Sequence, residues 1–120
     1  MPPERFVNVT FQVKKDGQSY SSFCPELKIP SYGDTASEAT ENLVTASLIT
    51  FHILHENGTE QEFLKEKGIN IGEVEEEPYV RIVDNSQQEG HYRLFIDAFR
   101  GSGRQQPTTH EIKEAVKNLA

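Results

Sequence analysis

The sequence predicts an α+β fold with antiparallel pairing at its front. Three observations carry that expectation. "FVNVTFQV" at 6–13 alternates apolar and polar residues with period two, the pattern of a half-buried strand. Asp16-Gly17 follows, a hairpin signal, because glycine accepts positive φ without steric cost. Thr35 and Glu38 then stand three apart before a long apolar-periodic stretch, the spacing of a helix capping box. A chain of 120 residues holds one ordinary core, so residues 1–120 read as a single domain.

In the first strand Val7, Val9, Phe11 and Val13 share the buried side, with Asn8, Thr10 and Gln12 opposite. "SYSSF" at 19–23 is the returning strand, and Pro25 ends it because proline cannot donate to a ladder. "LKIPSY" at 27–32 is a third short strand, and Pro30 in it favours a sheet edge. The long helix spans 36–56. Ala39, Leu43, Ala46, Ile49 and Ile53 form its predicted stripe, widened by Val44, Leu48, Phe51 and Leu54. Gly58 supplies its left-handed cap. Thr59 with Glu62 opens a second helix, stopped by Gly68. "PYVRIV" at 78–83 and "YRLFIDAF" at 92–99 read as two strands, joined by the connection "DNSQQEGH". After a glycine-containing linker at 100–107, Thr108 with Glu111 opens a third helix, in which Ile112, Ala115, Val116 and Leu119 fall at helical spacing. The expected order is β-β-β-α-α-β-β-α.

The net charge is −7. That argues against a surface devoted to nucleic acid, which draws on clustered Lys and Arg. The charge is uneven. Residues 59–90 carry 3 basic and 9 acidic side chains, and residues 91–120 carry 5 and 3. Glu73, Glu75, Glu76 and Glu77 form an acidic run that suits a solvated loop or a docking surface for a basic partner. Arg100, Arg104, Lys113 and Lys117 are the weak nucleic-acid candidates of the tail; a flexible linker and a helix with ordinary surface lysines is the preferred reading of them. No apolar run approaches the ~18 residues of a membrane span. "MPPERF" lacks the apolar centre of a signal peptide, so the expected location is the cytoplasm. Cys24 is the single cysteine, which excludes an intrachain disulfide.

No constellation announces catalysis, and no cofactor or metal is expected. His52-x-x-His55 places two imidazoles within reach of one metal ion, but no third ligand is evident. Nothing around Cys24 marks an activated thiolate. Asp34, Glu38 and Glu41 gather at the head of the long helix, where carboxylates complement its dipole.

Several stretches taken in order resemble the HicB-like antitoxin family. They are "VTFQVKKDGQSYSSF", "PEL" at 25–27, "YGDTASEATENLVTA" at 32–46, then Gly58 and "FLKEKGI". The resemblance covers residues 6–71, with 72–120 as a strand-strand-helix extension. It implies a front half like a partial ribonuclease H fold, related in shape to double-stranded-RNA-binding domains. It further implies a non-catalytic protein that neutralises a small basic RNA-cleaving toxin, an oligomer, and often a DNA-binding tail that represses the protein's own operon. Two features depart from the family pattern. Residues 25–30 read Pro-Glu-Leu-Lys-Ile-Pro, without the usual Gly-Cys, and the tail is neither helix-turn-helix nor ribbon-helix-helix. DNA binding, and with it transcriptional autoregulation, is therefore left open.

Two other readings stand beside the antitoxin. One is an orphan HicB-like oligomer without a cognate toxin, a structural or regulatory protein. Leu94 and Ile96 on one side of their strand, with Phe95 and Phe99 on the other, are its candidate contacts in a homodimer or larger assembly. The other is a degenerate nuclease, which would need acidic residues converging on a divalent metal.

Overall fold

The computed structural model describes residues 6–69, 79–84, 87–96 and 107–116. The chain is α+β. Its strands are β1 (Phe6–Asp16), β2 (Ser19–Cys24), β3 (Ile29–Gly33), β4 (Tyr79–Asp84) and β5 (Gln87–Phe95). Its helices are α1 (Ala36–Glu56), α2 (Glu60–Lys67) and α3 (Thr109–Ala115). The strands form one sheet in the order β3-β2-β1-β5-β4, with every neighbouring pair antiparallel. No helix among the described residues is long and apolar enough to cross a membrane.

Alternation in β1 sets the two sides of the sheet. Val7, Val9, Phe11 and Val13 are buried. Across the ladder Val7 meets Leu94, and Val9 meets Tyr92. Val7, Val9, Phe11, Tyr92 and Leu94 share one core with Leu43, Val44, Leu48 and Phe51 of α1, Leu64 of α2, and Ala115 and Val116 at the end of α3. The helices therefore back a single face of the sheet. Full burial of side chains such as Phe11 and Phe51 is worth roughly 1.5–3 kcal/mol each.

The apolar stripe of α1 is rotated from the sequence expectation. Ala46 and Ile49 are only half-buried, and Ile53 is 51% exposed. Thr40 and Ser47 are buried in their place. Both hydroxyls donate to a carbonyl one turn back, Thr40 to Ala36 at 2.9 Å and Ser47 to Leu43 at 2.8 Å. A hydroxyl satisfied inside its own helix behaves as a small core residue. Apolar periodicity alone misses it.

The junction from β3 to α1 is tight. A methyl at Gly33 would lie 2.6 Å from the Ala39 nitrogen and 2.8 Å from the Glu38 carbonyl carbon, both backbone atoms. Thr35 caps α1, its hydroxyl oxygen accepting from the Glu38 N–H at 3.0 Å. Asn42 donates to the Tyr32 carbonyl at 2.8 Å, and the Ser22 hydroxyl donates to the Ala39 carbonyl at 2.8 Å. The start of α1 is thus tied to both β2 and β3.

Both α1 and α2 end in Schellman closures. Gly58 N–H reaches the His55 carbonyl and Thr59 N–H the Leu54 carbonyl; Gly68 N–H reaches Lys65 and Ile69 N–H reaches Leu64. Gly58 and Gly68 have φ of 71° and 69°. The expected capping box at Thr59 does not form. Its backbone has φ −108° and ψ 7°, and its hydroxyl donates back to the Leu54 carbonyl at 3.5 Å. Thr59 still opens α2 through its backbone, its carbonyl accepting the Phe63 N–H at 3.0 Å, while its side chain stays turned toward α1.

Two strands are placed differently from the sequence reading. Residues 25–28 form a turn rather than the start of a strand, with Lys28 at φ 56° and Leu27 buried. Most of the expected connection at 84–91 is strand. Gln87 to Gly90 pair with Lys14 to Phe11 of β1, and the same run pairs with β4. Its polar side chains have little strand propensity; pairing on both edges overrides that. The described strand ends at Phe95, Ile96 lies in a turn, and Phe99 is outside the described residues.

The junction predicts an order of effects. Gly33→Ala forces backbone apart and should cost about 1–3 kcal/mol by overpacking. Thr35→Ala removes one cap bond and should cost about 0.5–2 kcal/mol. Urea unfolding followed by circular dichroism measures both. An unchanged midpoint for Gly33→Ala would show that α1 can back away from β3 without loss.

Candidate functional site

The face of the sheet opposite the helices is the candidate binding surface. Register places Phe6, Asn8, Thr10, Gln12 and Lys14 of β1 beside Phe95, Arg93, His91, Glu89 and Gln87 of β5. Ser21 and Phe23 of β2, with Pro30 and Tyr32 of β3, continue that face. The Phe6 and Phe95 rings pack at 5.5 Å between centroids. The Arg93 guanidinium stands 5.8 Å from the Phe6 centroid, close enough for a cation–π contact. His91 Nε2 is 3.4 Å from Glu89 Oε1. Phe23 is 38% exposed and Tyr32 75%, the two most exposed aromatics among the described residues. This face offers aromatic contact area interleaved with charge and amide groups, chemistry suited to recognition.

The border of this face is held by Glu26. β2 ends at Cys24, so the Thr10 N–H on that side of β1 looks toward the turn that follows. The Glu26 carboxylate takes the place of a strand there. One oxygen accepts the Thr10 N–H at 2.8 Å, and the other accepts the Thr10 hydroxyl at 2.7 Å. The Cys24 thiol donates to the same carboxylate at 3.6 Å. Burial pushes the Cys24 thiol up from its ordinary 9.0 to about 12, and the negative charge of Glu26 adds to the rise. A thiol held protonated in this way is a poor nucleophile.

A second packing constraint sits on the helix side of β5. A methyl at Gly90 would come within 2.5 Å of the Tyr92 hydroxyl and 2.6–2.7 Å of its ring carbons. The Tyr92 ring lies in that space and packs on Phe11 at 5.2 Å. Burial raises the Tyr92 phenol above its ordinary 10.0.

The sequence-derived candidates divide into three groups. Leu94 and Ile96 are buried in the core of this same chain, so they are not surface contacts for another subunit. Their cover comes from the chain's own helices, and Leu94 also bridges to Val116 beside α3. Phe95 alone of the described oligomer candidates lies on the face that no described helix covers, half-buried against Phe6. Lys113 is exposed on α3. Glu73, Glu75, Glu76, Glu77, Phe99, Arg100, Arg104 and Lys117 lie outside the described residues.

His55 Nδ1 faces Glu60 Oε2 of α2 at 3.9 Å. No group of three or more His, Cys, Asp or Glu among the described residues is placed to hold a metal ion. Asp34, Glu38 and Glu41 are all exposed around the start of α1. The Glu26 clasp and the Phe6–Phe95–Arg93 group were missed in the sequence. Both depend on which strand lies beside β1, information that no local pattern holds.

The arrangement defines a class: an antiparallel sheet backed by helices on one face, with an aromatic and charged face opposite. No family model, no curated protein and no solved structure matches this chain.

Cys24 gives the fold an alkaline limit. Its folded pKa is raised, so its contribution to stability is complete below pH 9 and is lost as pH rises toward 12. Over that window the unfolded thiol ionises while the folded one keeps its proton. Stability should fall by roughly 1.4 kcal/mol per pH unit from this group. Tyr92 acts in the same direction at higher pH. Urea midpoints at pH 8, 9.5 and 10.5 should fall more steeply in the wild type than in Cys24→Ala. Parallel slopes would remove Cys24 as the source. In the same assay, Glu26→Ala should cost about 1–3 kcal/mol at neutral pH by leaving the Thr10 N–H unpaired.

Proposed function

We propose that this chain is a non-catalytic antitoxin of the HicB-like kind, which binds and neutralises a small basic RNA-cleaving toxin. One observation carries the reading. The β1–β2–β3 meander runs through the Gly33-Asp34-Thr35 junction into the 21-residue α1, and α1 backs only one of its faces. That is the order in which the resembling stretches occur along the sequence. The exposed Phe23 and Tyr32 and the excess of acidic side chains at 59–90 support a protein partner of basic character. The mode of action is occlusion: association removes the toxin from RNA, and no bond is made or broken by this chain.

The test is a pairing experiment. A short basic reading frame found beside this gene is co-expressed with the chain, and the two are purified together; a gene with no such neighbour favours the orphan oligomer instead. The expected result is a stoichiometric complex in which RNA cleavage by the partner is suppressed. Full cleavage in the presence of excess chain would overturn the proposal, and so would failure of the two proteins to associate. Magnesium-dependent RNA cleavage by the chain alone, abolished by substituting its acidic residues, would replace the proposal with a nuclease.

The proposed antitoxin is a homodimer or larger. The half-buried Phe95 and the exposed Phe23 and Tyr32 lie on the face that no described helix covers, which supports association there. Sedimentation at micromolar concentration should give at least twice the chain mass. Tyr32→Ser together with Phe23→Ser should lower it if the helix-free face is the contact. A monomeric wild type would leave the face without this role.

A further inference from the structure

We draw no further inference here: the strongest candidate, the sheet face that no described helix covers, where Phe23 and Tyr32 stand exposed on β2 and β3 and Phe6, Phe95 and Arg93 cluster on β1 and β5, carries nothing more because nothing in the structure shows what covers it.

Discussion

The contact on which the architecture depends is the approach of Gly33 to the first turn of α1. There is no room for a side-chain carbon between them. That closeness lets Ser22 reach the Ala39 carbonyl and Asn42 reach back to the Tyr32 carbonyl. It also puts Ala39, Leu43 and Val44 against the sheet from the helix's first turns. A bulkier residue at 33 would lift the first turn of a 21-residue helix off the sheet and tilt the rest with it. Position 33 therefore sets the pitch of the main helix over the core.

The two edges of the sheet are treated differently. At the β3 edge, Pro30 has no N–H to offer, and the Tyr32 carbonyl already accepts from Asn42. Both features discourage another strand from pairing there. The β4 edge carries a register irregularity between Ile82 and Asp84, and a bulge is another way in which edges resist extension.

Local chemistry was the legible part of the sequence. The alternation of 6–13, the turn at Asp16-Gly17, the Thr35 cap and the extent of α1 each depend on residues a few positions apart. What was misread depends on distant partners. The polar run at 87–91 is strand because β1 and β4 flank it, and the stripe of α1 turns because Thr40 and Ser47 satisfy their hydroxyls internally. Thr59 starts α2 by its backbone alone, because its hydroxyl turns back to the Leu54 carbonyl of the preceding helix. Of the candidate surface, the polar side of β1 could be read from its alternation. The neighbours that give that side its character, Arg93, His91 and Phe95, belong to a strand more than seventy residues away.

Glycines among the described residues are constrained in two opposite ways, and chirality separates them. Gly58 and Gly68 have open space around the missing carbon but a left-handed backbone. Gly33 and Gly90 have no left-handed φ, yet neighbouring atoms fill the space a carbon would occupy. A mirror-image alanine, introduced by chemical synthesis, suits the first pair, since its preferred backbone is the left-handed one and nothing obstructs its methyl. At Gly33 and Gly90 the volume itself is taken, by the backbone of α1 in one case and by the Tyr92 ring in the other. The first pair marks where the chain must turn, and the second marks where its layers touch.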